Sequence, residues 1–168
     1  KSRFKLALDC PTKLFYTGKK EFPDRKLDDP FLAALAKGGF QVGELAKCYF
    51  PGGVEVEAER GDYDGAVDRT NELLRQENVT IFEAAIRFEN FFIRVDVLVK
   101  KGNTLELIEV KSKSYLEGES AFVGKKGGID SDWKAYLYDV AFQKHVAVNA
   151  LPNMNVHAFL MLADKGSV

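Results

Sequence analysis

The sequence predicts an α/β domain with a mixed central sheet flanked by helices, and three observations carry that prediction. Runs rich in Ile, Val, Phe and Leu follow one another closely at residues 80–88, 91–100 and 104–112, which is strand composition at the spacing of a meander. Helical patterns bracket these runs, at 66–77 before and 132–149 after, and a last apolar run at 156–163 closes the chain as a strand. Helix, three strands, helix, strand (αβββαβ) is the order of an α/β unit, here with extra helices at the N-terminal end. The 168 residues form one domain, residues 1–168, and 46% hydrophobic with 29% charged excludes disorder, collagen-like repeats and coiled coil as the global class.

Taken in order, residues 2–16 place Phe4, Leu6, Ala7, Leu8, Leu14 and Phe15 on short helices broken near Cys10-Pro11, because proline disfavours helix in the residue before it. Residues 18–29 are polar, contain Pro23 and read as loop. From 30 to 48, Phe31, Leu32, Leu35, Val42, Leu45 and Ala46 recur near helical spacing behind Pro30, with Gly38-Gly39 as a point of break or kink. Phe50-Pro51-Gly52-Gly53 turns the chain into a short strand at 54–58, and Val67, Leu73 and Leu74 mark the helix that follows. Beyond the meander, 116–130 is a polar loop carrying Lys125-Lys126-Gly127-Gly128. Asp130 or Ser131 then caps a helix with Trp133, Leu137, Val140, Ala141 and Val148 on one side.

Lys and Arg total 24 against 25 Asp and Glu, a net charge of -1, so no whole-chain basic field points to nucleic acid or membrane. Two cysteines, Cys10 and Cys48, are too few for a disulfide framework, and a reducing, cytoplasmic setting is expected. No run is apolar enough to span a bilayer and no signal-peptide core follows the first residues, so no membrane partner is expected. The first residue is not Met, and a fragment of a longer protein, with fused domains outside it, is the expectation. His145 and His157 lack zinc-site spacing. With no Walker loop, nucleophile elbow or dinucleotide fingerprint, NTP hydrolysis and Rossmann chemistry are unsupported.

The chemistry lies in the second hairpin. A two-residue turn at Gly102-Asn103 pairs Lys101 with Thr104. Stepping back along both strands then pairs Lys100 with Leu105, Leu98 with Leu107, and Asp96 with Glu109. Side chains so opposed share a face about 4.5–5.5 Å apart, and like charges there repel. The two-residue period adds Lys111 to the same face. Asp96, Glu109 and Lys111 thus end an apolar strip of Leu98, Leu105 and Leu107, where uncompensated carboxylates are costly. A hard divalent cation would turn the repulsion into coordination, with the lysine serving a water or a phosphate. The alternative is a structural ion pair between Lys111 and one carboxylate, with the other in water.

The segments Ile93-Arg94-Val95-Asp96-Val97-Leu98 and Leu107-Ile108-Glu109-Val110-Lys111 resemble the PD-(D/E)XK nuclease superfamily, in particular its RecB-like branch with the CRISPR-associated RecB-like exonucleases. The likeness extends to the opening Ser2-Arg3-Phe4 through Asp9-Cys10-Pro11 and to Gln143, which matches the glutamine of a Gln-x-x-x-Tyr element. The resemblance implies a restriction-endonuclease-like core, a metal-dependent deoxyribonuclease activity, Mg²⁺ or Mn²⁺ held by Asp96, Glu109 and the Val110 carbonyl, and catalytic roles for Lys111 and Gln143. A glutamine there equally fits a satisfied structural amide.

Departures accompany the likeness. The branch carries Gly-x-x-x-His on its first core helix with the histidine as metal ligand; here Gly39 is followed four residues later by Gly43 and then Glu44. Glu44 can offer oxygen to the metal instead, although an exposed helical glutamate is the plainer reading. Glu83 is placed to assist from behind the ligands. The tyrosine of the element is Ala147 here, leaving its role to Tyr136 or Tyr138. Cys10 stands where some relatives begin an iron-sulfur cluster, but the three C-terminal cysteines that complete it are missing, so no cluster is expected and Cys10 is expected to be a buried small hydrophobe. The implied partner is single- or double-stranded DNA, its phosphates met by Arg87, Arg94, Lys113, Lys125 and Lys126. A catalytically silent DNA- or protein-binding module of the same fold is the competing expectation.

Overall fold

In the computed structural model the described residues are all but 24–28, 58, 60, 117–121, 125, 165 and 167–168. Their backbone traces α1 (Ser2–Asp9), α2 (Pro11–Tyr16), α3 (Pro30–Lys47), β1 (Val54–Glu55), α4 (Tyr63–Leu73), β2 (Asn78–Phe88), β3 (Phe91–Lys101), β4 (Thr104–Tyr115), α5 (Ser131–Ala150) and β5 (Asn155–Asp164). The fold is α/β, with one five-stranded mixed sheet in the order β1-β2-β3-β4-β5. The central strands β2, β3 and β4 run antiparallel, and β1 and β5 add parallel edges.

Local chemistry explains most boundaries. Cys10 is extended (φ -163, ψ 113) between α1 and α2, with Pro11 opening the second helix. Asp29 caps α3 by accepting from the Phe31 and Leu32 amides at 2.9 and 3.4 Å. The helix then runs unbroken through Gly38-Gly39, contrary to the expected kink. Each glycine weakens a helix by only about 1 kcal/mol. α4 starts three residues before the expected position because Asp62 accepts from the Gly65 amide at 2.9 Å, and it ends at Leu73. Asp130, the first of the two candidate caps, accepts from the Asp132 amide at 2.8 Å.

The main core lies where α4 and α5 meet the sheet, with Ile81, Leu98, Leu105, Leu107, Val146 and Ala147 among its buried members. A smaller cluster of Phe82, Val97, Val99 and Ile108 forms separately, and α3 packs along β4. The buried face of α5 keeps the expected Trp133 but otherwise differs from the expected one: Ala141 and Val148 are exposed, while Asp139, Gln143, Val146 and Ala147 are buried. Apolar residues are spread around this helix, so period alone does not fix which side turns inward. Cys10 is also corrected: it is partly exposed, and backbone N–H groups of Lys13 and Thr12 hold its thiol below the usual cysteine value. Among the described residues no helix is long and apolar enough to cross a membrane.

Candidate active site

The hairpin register is the expected one. Gly102 takes the left-handed conformation (φ 55) that the tight turn requires, Lys101 pairs with Thr104, and the ladder continues to Leu98 with Leu107 and Val97 with Ile108. There it stops, one step before Asp96 and Glu109. Beyond that point β3 stays with β2 while β4 stays with β5, so the sheet opens between its two middle strands. Asp96 fills part of the opening, its Oδ2 accepting from the Val110 amide at 2.7 Å. A side chain thus satisfies a strand N–H that has lost its backbone partner on this side.

Glu109 is fully buried and surrounded by donors. The Lys1 ammonium reaches Oε2 at 2.8 Å and Oε1 at 3.0 Å, Lys111 donates to Oε1, and Gln143 Nε2 donates to Oε2 at 2.7 Å. Lys1 Nζ is also 3.6 Å from Asp96 Oδ1, so one ammonium bridges both carboxylates. Burial alone would push Lys1 down; the charges of Glu109 and Asp96 outweigh it and hold the ammonium above the usual lysine value.

Behind Glu109 lies an acid that the sequence reading missed. Asp139 of α5 is fully buried, with Oδ1 accepting from Gln143 Nε2 at 3.2 Å and Oδ2 at 3.4 Å from the ammoniums of both Lys111 and Lys5. Asp139 and Gln143 are four apart and share a helix face, which was the available signal. Lys1 and Lys5 come from the start of the chain and have no sequence mark linking them to the hairpin.

Glu83 stands opposite the acid pair on β2 with φ +53, at a gap in the β2–β3 ladder between the pairs Phe82 with Val97 and Ala84 with Val95. A non-glycine residue in this region stores about 1–2 kcal/mol of strain. Burial, then the Asp96 charge, raise the Glu83 carboxyl above its usual value against the counter-pull of Arg94 and Lys1. Arg94 is 3.2 Å from Glu83 Oε2 and donates to the Val56 carbonyl at 2.7 Å.

These groups open into a cleft of about 430 Å³ that also takes in Glu44, Phe40 and Val110. Glu44 lies on its wall, held by Lys47 at 2.7 Å. The remaining expected residues sit elsewhere. Tyr136 packs near Trp133, Lys113 lies 4.6 Å over the Trp133 ring, and Lys126 is exposed on the loop after β4. Arg87 pairs with Asp64, and Lys125 lies outside the described residues.

The donor chemistry fits a hard divalent cation. Asp96 and Glu109 supply anionic oxygens at the open end of the ladder, and the space between them already receives a cation, the Lys1 ammonium. Among the described residues no three His, Cys, Asp or Glu side chains gather as a metal cage. A cation held by these two acids would need backbone and water oxygens for the rest of its shell. No family model matches the chain, and no curated protein or solved structure matches it.

Proposed function

We propose that this chain is a metal-dependent nuclease of the PD-(D/E)XK type, hydrolysing DNA phosphodiester bonds from a restriction-endonuclease-like core. One observation carries the reading: where the sheet opens, one rung past the last β3–β4 pair, Asp96 and the buried Glu109 share one ammonium, and Lys111 donates to Glu109. The element order, three antiparallel strands followed by a helix and a parallel strand, supports the fold assignment.

Asp96, Glu109 and the Val110 carbonyl would hold Mg²⁺ or Mn²⁺, which when bound supplies Lewis-acid charge and an acidified water. The chain's own groups do the positioning. Gln143 fixes one oxygen of Glu109, and the Val110 amide fixes one oxygen of Asp96. Lys111 keeps a positive charge at the acid pair, ready for a water or for charge developing on a phosphate. The test is cleavage of single- and double-stranded DNA with Mn²⁺ by wild type, Asp96→Asn and Lys111→Ala. A loss of about 100-fold or more in both variants is expected; equal cleavage by all three refutes the reading.

A second reading, a silent DNA- or protein-binding module, is favoured by the bridging ammonium, which already balances the two acids. It requires that wild type bind no Mn²⁺ in a calorimetric titration. Binding that Asp96→Ala abolishes excludes it.

A further inference from the structure

Asp139 is a fully buried carboxylate that the proposed chemistry leaves without a task. Its two oxygens are treated differently. Oδ1 accepts from Gln143 Nε2 at 3.2 Å, whereas Oδ2 has no hydrogen-bond donor among the described residues and lies 3.4 Å from the ammoniums of Lys111 and Lys5. A buried acceptor without a donor is destabilising, so such oxygens are rare and call for a reason. Lys5 alone is a weak one, since it is half exposed and an exposed partner at that separation adds little. Lys111 is mostly buried and donates to Glu109, with Asp139 Oδ2 as the next oxygen in reach.

We propose that Asp139 is the positioning residue of Lys111: its open Oδ2 is a second seat for the ammonium, keeping Lys111 in the site when the Glu109 carboxylate is taken up by a divalent cation. The inference rests on the nuclease reading for that cation. With Glu109 as its one counter-charge, Lys111 would hold the carboxylate against any competing cation. With Asp139 behind it, the ammonium exchanges one carboxylate for another without leaving. Gln143 serves the same arrangement, because one amide nitrogen donates to Glu109 at 2.7 Å and to Asp139 at 3.2 Å and spaces the two acids.

The test is calorimetric Mn²⁺ binding by wild type, Asp139→Asn, Lys111→Met and the double variant. Groups supporting a ligand from behind typically change metal affinity about 10–100-fold. Asp139→Asn is expected to weaken Mn²⁺ binding about 10-fold, by leaving Lys111 committed to Glu109, and the double variant to recover the affinity of Lys111→Met. A merely structural role does not give that recovery, because a loosened fold binds Mn²⁺ poorly with or without the lysine. Wild-type affinity in Asp139→Asn, or a double variant as weak as Asp139→Asn, overturns the proposal. Should Asp139→Asn fail to fold, Asp139→Glu keeps the charge in reach and is expected to bind Mn²⁺ within about threefold of wild type; a tenfold loss with an unchanged melting curve overturns it. If wild type binds no Mn²⁺, the nuclease reading fails by itself. The anchor is then decided by unfolding the same four proteins in EDTA: non-additive midpoint shifts for Asp139 and Lys111 uphold it, and additive shifts overturn it.

Discussion

Replacing Lys1 by methionine separates a carboxylate pair held by lysine from one that accepts a metal. The ammonium is 2.8 Å from Glu109 Oε2 and 3.6 Å from Asp96 Oδ1, with its side chain 21% exposed. At an effective dielectric constant of about 20, the shorter contact alone has a gross attraction of about 6 kcal/mol. Desolvation and partial exposure cancel most of it, leaving a net of about 1–2 kcal/mol. In chelator, Lys1→Met is therefore expected to melt about 2–8 °C below wild type, at about 2–4 °C per kcal/mol for a chain of this size. Mn²⁺ should close that gap, because at saturation the variant's tighter binding returns the same 1–2 kcal/mol. Wild-type protein must displace the ammonium to bind, so its dissociation constant should exceed the variant's by about 5–30-fold, the same 1–2 kcal/mol converted at 1.4 kcal/mol per decade. Mn²⁺ at 100 times the dissociation constant adds about 2.7 kcal/mol, or about 5–11 °C. Thermal melts with EDTA and across a Mn²⁺ series read both effects. If Lys1→Met melts as high as wild type in EDTA, or binds Mn²⁺ more weakly, the ammonium does not occupy the cation's place and the argument fails.

Three further outcomes follow from contacts elsewhere. Thr70 is fully buried, donates to the Ala66 carbonyl at 2.9 Å and accepts from the Ala85 amide at 2.9 Å. Thr70→Val leaves that amide unsatisfied and should cost about 1–3 kcal/mol in urea unfolding, with Thr70→Ser near wild type; an unchanged midpoint for the valine variant refutes the bridge. Glu83 has a folded value raised above the 4.5 of the free carboxyl, so the native state binds the extra proton, and stability from this group is present below that value and lost as pH rises through the raised one. Glu83→Gln should thus raise the melting temperature near pH 7 and lose the gain near pH 4, a pattern that equal shifts at both pH values would contradict. Leu107→Ala, in the main core beside the acid pair, should cost about 2–5 kcal/mol in the same assay, and a loss under 1 kcal/mol would mean that the core closes over the cavity.

The hairpin was legible because its information is local. Gly102-Asn103 sets the turn, the turn sets the register, and the register runs to Val97 with Ile108, one step short of Asp96 and Glu109, without reference to the rest of the chain. The helix starts at Pro30 and Asp130 were legible for the same reason, since a first-turn proline or a cap acts across two or three residues, whereas the Asp29 cap came only with the structure. What stayed hidden is what distance in sequence hides. Lys1 meets Glu109 across 108 positions, and nothing in the first five residues marks them as part of a charged cluster. Asp139 was hidden differently. An acid is assigned to water by default, so Val140, Ala141 and Val148 were the expected inward side, whereas Ala141 and Val148 are exposed and Asp139 is buried beside the expected Gln143, which donates to it. The nearly even spread of apolar residues around that helix was the hint that period alone could not orient it.

The opening of the sheet makes the charged cluster tolerable and useful at once. Had the β3–β4 ladder continued one pair further, Asp96 and Glu109 would face each other at ladder spacing, and the Val110 amide would have no need of a carboxylate. By ending at Val97 with Ile108, the ladder frees that amide to hold Asp96, lets Lys1 enter between the acids, and leaves Glu109 within reach of α5. The left-handed Glu83 falls at the gap on the same level of β2, so backbone strain and repulsion meet at one rung of the sheet. Strain within a strand, at the rung that holds the charges, is expected where a ligand supplies the missing interaction. If the rung were only structural, the uncharged alternative at Glu83 would be more stable and nothing at the site would be lost. Measuring the stability of Glu83→Gln together with its Mn²⁺ affinity therefore separates the two readings: a gain in stability with a loss of metal binding belongs to a working site, and a gain with no loss belongs to a scaffold.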